Sequence, residues 1–370
     1  MSGSLATGLP DFPWDSLAGA AATARSHPDG LVDLSVGTPV DRTPALAREA
    51  LAAAADAPGY PQTAGTPELR RAMAGWAARR WGVQGLSPEA CLPVIGTKEL
   101  VGWLPTLLGA GTGDAPRTVV FPEAAYPTYK VGALVAGATA VAADDPDRLG
   151  DLRPGLVWIN SPSNPTGAVM APERMRAWVE WCRERGAVLA SDECYGELGW
   201  DAEPVSVLHP DVCGGDHTGL LAVHSLSKRS NLAGYRAGFV LGDAALVASL
   251  LAVRKHLGMI VPAPVQAAMT ALLDDDTEIE AQRERYRARR AVLRPALEAA
   301  GFTVDHSEGG LYLWATRGEP CRDTVDWLAG RGVLVAPGDF YGEPEVTGRH
   351  VRMALTATDE RIAAAASRLA

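Results

Sequence analysis

Lysine, cysteine and long hydrophobic runs are all scarce in this sequence, and each scarcity excludes a class of structure or function. Four of the 34 basic residues are lysine, at positions 98, 130, 228 and 255, and the rest are arginine. The five cysteines are an odd number without a CxxC pair, which indicates reduced thiols rather than a disulfide framework or a zinc site. The seven histidines show no metal-ligand spacing, so no metal is predicted.

No stretch is apolar for long enough to span a membrane, because glycine and proline interrupt the apolar runs. The N-terminus has no basic segment followed by an apolar core, so no secretory signal is predicted and we expect a cytoplasmic protein. A net charge of −10 argues against nucleic-acid and anionic membrane partners. The 370 residues, 47% apolar and 21% charged, suit a globular protein with one large and one smaller domain.

Apolar runs alternate with helical periods through the middle of the chain. The runs are continuous rather than alternating, which predicts an α/β fold with a mostly parallel sheet covered on both faces by helices. The predicted strands are 92–95, 118–121, 138–143, 156–159, 187–190, 220–223 and 237–241. Helices and then shorter strands, including 333–336, follow residue 244 and predict a smaller α+β domain. We expect an N-terminal arm and part of the small domain over 1–43, the large domain over 44–245 and the rest of the small domain over 246–370.

Helix termini carry the clearest local signals. Thr66, Pro67 and Glu68 predict a helix that ends at Gly82. The segment 277–280, Thr-Glu-Ile-Glu, has the pattern of a capping box and predicts that its threonine caps a long charged helix. Residues 1–30 are rich in alanine, proline and glycine, which favours an arm rather than a compact unit.

A polar segment around Lys228 follows the strand 220–223, at the position where an open α/β sheet places its ligand groups. Arginine keeps its proton at working pH, whereas a desolvated lysine can lose it and become a nucleophilic amine. Considered alone, Lys228 is better explained as a surface side chain at the end of a strand. Ser225, Ser227 and Arg236 add two hydroxyls and a guanidinium suited to phosphate.

Three further polar segments follow predicted strands. Residues 96–99 lie where a strand turns into a helix, which favours an anion site, although many such turns are purely structural. Asn164 lies in the loop 160–167, where two prolines fix the backbone and a cis X-Pro bond is possible. Asp192 ends a buried strand and needs a positive partner, either a cationic ring nitrogen of a ligand or an arginine of the fold.

An anion cradle, an amine, a carboxylate and a planar amide are together what pyridoxal phosphate requires of a protein. The segments 164–167, 191–195 and 225–238, in this order, resemble the class I and II aminotransferases, which are fold-type I pyridoxal-phosphate enzymes. The resemblance extends to 37–39, 65–70 and 351–355. It implies a large domain with a seven-stranded, mostly parallel sheet between helices, and a smaller α+β domain.

The resemblance also implies roles for individual residues. Lys228 would form the Schiff base with pyridoxal 5'-phosphate and carry the proton, and Asp192 would keep the ring nitrogen protonated. Tyr195 and Asn164 would bind the phenolic oxygen of the ring, and Tyr126 would stack on it. The phosphate would be surrounded by Gly96, Thr97, Lys98, Ser225, Ser227 and Arg236.

Two further roles concern the partner subunit and the substrate. Tyr60 would reach the phosphate of a neighbouring subunit, so the resemblance implies a homodimer with shared active sites. Arg352 would bind the substrate α-carboxylate, assisted by Gly37 and Asn164. Catalysis would be a ping-pong transamination between an amino acid and a keto acid.

For the substrate, the segments 9–15, 96–101 and 258–264 are most similar to succinyldiaminopimelate transaminases of bacterial lysine biosynthesis. That similarity implies glutamate as amino donor and N-succinyl-2-amino-6-ketopimelate as acceptor. The distal carboxylate of this acceptor needs a second cation, for which Lys98, Arg229 and Lys255 are equal candidates.

Other activities use the same scaffold. The alternatives are aminotransferases of aspartate, alanine, aromatic amino acids or LL-diaminopimelate, and cysteine-S-conjugate β-lyases. A pyridoxal-phosphate-sensing domain of a transcription regulator is disfavoured, because residues 1–30 are too short for a DNA-binding domain and the chain is acidic.

Overall fold

Three sheets organise the chain, and the computed structural model describes residues 8–112 and 118–369. The strands are β1 (Val32–Asp33), β2 (Cys91–Ile95), β3 (Thr118–Phe121), β4 (Thr139–Ala142), β5 (Leu156–Asn160), β6 (Val188–Asp192), β7 (Leu220–Ser225), β8 (Ala237–Gly242), β9 (Thr303–Asp305), β10 (Tyr312–Thr316), β11 (Val333–Leu334), β12 (Ala336–Pro337) and β13 (His350–Ala354).

Helices cover these sheets. They are α1 (Ala18–Arg25), α2 (Ala45–Ala53), α3 (Pro67–Trp81), α4 (Thr97–Leu107), α5 (Thr128–Val135), α6 (Pro172–Arg185), α7 (Pro210–Cys213), α8 (Leu226–Arg229), α9 (Ala244–Leu257), α10 (Ala263–Leu273), α11 (Thr277–Ala299), α12 (Cys321–Ala329), α13 (Pro344–Thr347) and α14 (Asp359–Leu369). Within the described ranges, none of these helices is both long and apolar enough to cross a membrane.

The largest sheet has seven strands in the order β2-β8-β7-β6-β5-β3-β4. Strands β3 to β7 run parallel to one another, and β8 runs antiparallel between β7 and β2. All residues of β5 and β7 are buried, which is why their sequences are continuous apolar runs. The predicted mostly parallel, seven-stranded sheet is therefore confirmed. Because β5, β6 and β7 are parallel, their carboxyl ends place Asn160, Asp192 and Ser225 along one edge.

Two smaller sheets involve the C-terminal third of the chain. One is antiparallel, with the order β12-β13-β10-β9, and the other is the parallel pair β1-β11. The predicted strand 333–336 is wrong as a single element, because its two halves belong to different sheets. Pairing of β1 with β11 brings the chain start onto the C-terminal third. The domain boundaries near residues 43 and 245 stay a prediction.

Residues 13–25 of the predicted N-terminal arm form helices. A 3₁₀ helix over Pro13–Leu17 leads into α1, in which Ala21 and Ala24 are buried against Ala329 and Leu334. Alanine is the best helix former, and its small side chain allows close packing, so an alanine-rich segment can be ordered. Residues 1–7 lie outside the described residues.

The N-terminus of α3 follows its prediction, whereas that of α11 does not. The Thr66 hydroxyl accepts a hydrogen bond from the Leu69 amide, and Gly82 ends α3 in the left-handed conformation. In α11, Thr277 is already the first helical residue, so it cannot act as the predicted cap. The Asp275 carboxylate accepts hydrogen bonds from the Thr277 and Glu278 amides instead, at 3.0 and 3.1 Å.

Asp275→Ala is therefore expected to lower the free energy of unfolding by about 1 kcal/mol, because two amides at the helix start lose their acceptor. The measurement is the thermal midpoint of unfolding. Thr277→Ala is the matched control and is expected to change the midpoint little, since the Thr277 side chain is exposed. A larger fall in the thermal midpoint for Thr277→Ala than for Asp275→Ala would show that Thr277 caps the helix, as the capping-box pattern predicts.

Candidate active site

Lys228 lies on the short helix α8, which continues directly from the end of β7. Ser225 starts this helix, and its hydroxyl accepts a hydrogen bond from the Ser227 amide at 3.1 Å. The half-buried Lys228 donates a hydrogen bond from Nζ to the Gly37 carbonyl oxygen. The lysine amine therefore points across the sheet edge toward the N-terminal segment rather than into solvent.

Asp192 lies at the end of β6, with only 7% of its surface exposed. Its carboxylate accepts hydrogen bonds from Tyr129 Oη at 2.7 Å and from the Cys194 amide at 3.2 Å. Burial raises the pKa of Asp192, and these hydrogen bonds oppose the rise only in part. Among the residues described, no arginine or lysine forms an ion pair with Asp192, so an arginine of the fold does not neutralise it. A buried carboxylate without a cation suits the positive ring nitrogen of a ligand.

Asn164 and Arg352 meet beside this edge. The loop that carries Asn164 contains two cis peptide bonds, Ser161–Pro162 and Asn164–Pro165, as its prolines allow. Arg352 on β13 donates to Asn164 Oδ1 at 2.9 Å and to the Ser35 carbonyl at 2.7 Å. The guanidinium is 3% exposed, its Nε has no partner in the described part of the chain, and it forms no ion pair there. A buried, unneutralised guanidinium suits a carboxylate ligand.

The predicted phosphate-binding residues come together at the start of α4. Gly96 precedes the helix with φ of +72°, and a Cβ at this position would lie 2.3 Å from Nη2 of Arg236. Only glycine permits this approach and this backbone conformation. The amide nitrogen of Thr97 lies beside β8, 3.2 Å from where a Cβ on Gly238 would be. Free amides at a helix start and a neighbouring guanidinium form an anion cradle.

Three predicted residues lie further out. Tyr126 is half-buried and packs edge-to-face on Tyr129 at 6.1 Å between ring centroids. Lys98 is exposed, with Nζ 6.0 Å from the Tyr126 ring centroid and 5.7 Å from that of Phe12. Tyr60 is fully exposed. Its predicted contact with a second subunit stays a prediction.

Two tyrosines that the sequence interpretation did not assign belong to the same cluster. Tyr129 donates to Asp192, and its signal was its position three residues after Tyr126, on the first turn of α5. Tyr312 on β10 has its hydroxyl 3.0 Å from that of Tyr195. Tyr312 lies in an apolar run typical of a core strand, so no local pattern distinguishes it.

A cleft of about 800 Å³ opens beside Tyr126. Tyr341 connects it to the cluster, because the Tyr341 ring centroid lies 4.9 Å from the Arg352 guanidinium carbon. Six of the 24 residues that line it are aromatic: Phe12, Trp14, Phe121, Tyr126, Phe340 and Tyr341.

Three cations line this cleft. Arg322 pairs with Asp339 at 2.7 Å, and Lys130 pairs with Glu343 at 3.6 Å. Lys98, the third, has no carboxylate partner in the described ranges.

The residues present fit the pyridoxal phosphate that the sequence resemblance implies. Asp192 is a buried anion without a cation, the cradle formed by Gly96 and Arg236 has no room for a Cβ, and Lys228 supplies a primary amine. These groups match a ring nitrogen, a phosphate and an aldehyde, respectively.

Comparisons with known proteins agree with this fit. The family described as aminotransferase class I and II matches residues 29–369. The chain is 65% identical to a probable aminotransferase, Rv1178, of Mycobacterium tuberculosis, over 99% of this chain and 87% of that protein. It is 61% identical to the 4-dedimethylamino-4-oxo-anhydrotetracycline transaminase OxyQ of Streptomyces rimosus, over 98% of this chain and 99% of that protein.

Among solved structures, the N-succinyldiaminopimelate aminotransferase of Mycobacterium tuberculosis superposes with a TM-score of 0.87 at 27% identity, over 100% of this chain and 99% of that one. Family match, sequence relatives and fold therefore agree. The chain belongs to the class I and II aminotransferases, whose cofactor is pyridoxal 5'-phosphate.

Proposed function

We propose that this aminotransferase transfers the amino group of glutamate to N-succinyl-2-amino-6-ketopimelate, which would place it in bacterial lysine biosynthesis. The observation that carries this proposal is a pair of cations without an ion-pair partner in the described residues: Arg352, which is hydrogen-bonded to Asn164, and Lys98 on the wall of the adjoining cleft. An acceptor with a carboxylate at each end matches two separated cations. The likeness to the N-succinyldiaminopimelate aminotransferase supports the same substrate.

When bound, pyridoxal phosphate supplies an electron sink for the bonds at the substrate α-carbon. Lys228 would hold the cofactor, and its amine would take the proton from the substrate α-carbon. Asp192 keeps the ring nitrogen charged, while Tyr195 and Asn164 bind its phenolic oxygen. Arg352 and Gly37 bind and orient the α-carboxylate, so that the α-proton faces Lys228. The second keto acid reverses these steps and completes the ping-pong cycle.

Candidates for the distal carboxylate differ in their surroundings. Arg229 is 4% exposed, and its guanidinium pairs with Glu197 at 3.1 Å and Glu278 at 3.6 Å, so it has no free face for a ligand. Lys255 is exposed on α9 and is not among the residues of the cleft. We therefore favour Lys98 as the residue that binds the distal carboxylate.

A second candidate substrate is a polycyclic ketone. The aromatic residues of the cleft favour it, since Phe12, Trp14 and Tyr126 offer ring faces and edges to a flat fused-ring molecule. The likeness to the anhydrotetracycline transaminase supports the same possibility.

An acceptor panel with glutamate as donor separates these proposals. The succinylated amino-ketopimelate is expected to give a higher kcat/KM than oxaloacetate, pyruvate or a tetracyclic ketone. Equal or better turnover of pyruvate or oxaloacetate would overturn the substrate assignment, and preference for the tetracyclic ketone would establish the second candidate. Release of pyruvate and a thiol from a cysteine S-conjugate would indicate a β-lyase.

Lys98→Gln is expected to raise KM for the succinylated acceptor roughly tenfold to 100-fold, because a charge-assisted hydrogen bond to the distal carboxylate is lost. KM for pyruvate, which has no distal carboxylate, should stay within about twofold. Lys98→Arg should recover most of the loss. An equal rise in KM for pyruvate, or a rise in Lys255→Gln instead, would show that Lys98 does not bind the distal end.

We also propose a cytoplasmic homodimer without nucleic-acid or membrane partners. Tyr60, fully exposed in the single chain, would lie against the cofactor phosphate of the partner subunit. The five free cysteines accord with a reducing compartment. Light scattering of the purified protein measures the assembly, and a monomeric mass at micromolar concentration would contradict it.

A further inference from the structure

Tyr312 occupies a central position in the candidate active site. Its hydroxyl oxygen lies 3.0 Å from that of Tyr195. A Cβ on Gly37 would lie 2.3 Å from the same oxygen, so the glycine backbone packs directly against the phenol. The Gly37 carbonyl accepts the hydrogen bond from Lys228 Nζ. Tyr312 therefore contacts Tyr195 directly and is linked to Lys228 through Gly37.

Positive charge surrounds this phenol. The Arg352 guanidinium carbon lies 4.0 Å from the ring centroid. Burial raises the pKa of Tyr312, but the charges of Arg352 and Lys228 and the hydrogen bond with Tyr195 outweigh burial and leave this pKa below its usual value. Burial, together with Tyr312, raises the pKa of Tyr195 well above its usual value. The other ionisable groups that face Tyr312 are Cys194 and the phenols of Tyr126, Tyr286 and Tyr341.

The Arg352 guanidinium lies over the ring of Tyr312, and a cation at that position favours the Tyr312 hydroxyl as the donor of the pair. Between two neutral phenols, the more acidic one is the better donor. Tyr312 then donates to the oxygen of Tyr195, which leaves the Tyr195 hydrogen free for a second acceptor. Hydrogen bonds in such a chain strengthen one another.

We propose that Tyr312 is a positioning residue: its hydroxyl donates to Tyr195 and directs the Tyr195 hydrogen toward the phenolic oxygen of the cofactor beside Lys228. This inference rests on the proposed roles of Lys228 and Tyr195. A donor to that phenolic oxygen stabilises its negative charge most when the nitrogen on Lys228 is unprotonated. The Tyr312–Tyr195 pair therefore lowers the proton affinity of the nitrogen.

The test is the pH midpoint of the absorbance change of the bound cofactor, which does not depend on turnover. Tyr312→Phe keeps the ring over Arg352 and removes the hydroxyl, and it is expected to raise the midpoint by about half a pH unit, roughly threefold in proton affinity. Tyr195→Phe should raise it further. The double variant should match Tyr195→Phe alone, because Tyr312 acts through Tyr195. Tyr286→Phe, which removes a buried hydroxyl without a partner in the described residues, should leave the midpoint unchanged.

An unchanged midpoint in Tyr312→Phe, or additive shifts in the double variant, would overturn the inference. Gly37→Ala provides a second variant, because its Cβ displaces the Tyr312 hydroxyl without deleting it, and the midpoint should also rise. If Tyr195→Phe leaves the midpoint unchanged, or Lys228→Ala keeps the absorbance change, the proposed roles of those residues fail, and the inference fails with them.

Discussion

Lys228→Ala is expected to abolish transamination, with a loss of at least about 10⁴-fold in kcat, and to remove the pH-dependent absorbance change of the bound cofactor. In the proposed mechanism the amine is both the covalent attachment point and the group that moves the proton, and a methyl group replaces neither function. The structure holds this amine in place, since the Gly37 carbonyl accepts a hydrogen bond from Nζ and Ser225 caps the helix that carries Lys228. Fixed-time assays with glutamate measure kcat, and absorbance spectra between about pH 5 and 9 measure the pH-dependent change of the bound cofactor.

Lys228→Arg is the control for charge. It keeps a cation next to Gly37, but a guanidinium holds its proton and forms no Schiff base at working pH. We expect this variant to fold and to be as inactive as Lys228→Ala. An intact absorbance change in either variant, or activity within tenfold of the unsubstituted enzyme, would exclude Lys228 as the attachment site.

Asp192→Asn is expected to lower kcat roughly 10³-fold, because a neutral amide no longer keeps the ring nitrogen charged. The cofactor-free protein should at the same time become more stable at neutral pH. Asp192 has a raised pKa in the folded chain, so the folded state binds its proton more tightly than the unfolded state does. Stability from this group is therefore present at low pH and is lost as the pH rises through the raised pKa.

Thermal midpoints of the cofactor-free proteins measure this stability difference. The advantage of Asp192→Asn should be largest above the raised pKa of Asp192 and should shrink as the pH falls through that pKa, because the native carboxyl then becomes neutral as well. Asp192→Glu keeps the charge and should retain more activity than the amide. A destabilised Asp192→Asn variant with near-normal kcat would identify Asp192 as a structural residue only.

Local signals predicted much of the fold. Thr66 and Pro67 mark the start of α3 and Gly82 marks its end, so local residues alone predict both ends of this helix. The apolar runs of the large sheet are long enough to identify every one of its strands. The capping of α11 was misassigned because Asp275 and Thr277 are both good cap residues, and only the backbone geometry selects between them. The burial of the α1 alanines depends on residues more than 300 positions away, so no local pattern predicts it.

The candidate site divides along similar lines. Asn164, Asp192, Lys228 and Arg236 follow strands in recognisable segments, so the sequence predicted that their side chains share one edge. Arg229 was kept as a ligand candidate because nothing local reveals its pairing with Glu197 and Glu278. For the same reason the sequence does not indicate a role for Tyr312, because its contact with Tyr195 joins residues 117 positions apart.

The pairing of β1 with β11 bears on how the protein is made. Lys228 contacts Gly37 across 191 positions, and Arg352 contacts Ser35 across 317. Since a ribosome releases the N-terminal segment first, Ser35 and Gly37 emerge long before the residues that they contact. Nearly the whole chain must therefore be translated before the site can assemble, so nascent chains arrested before β13 cannot bind substrate however well their central sheet has folded.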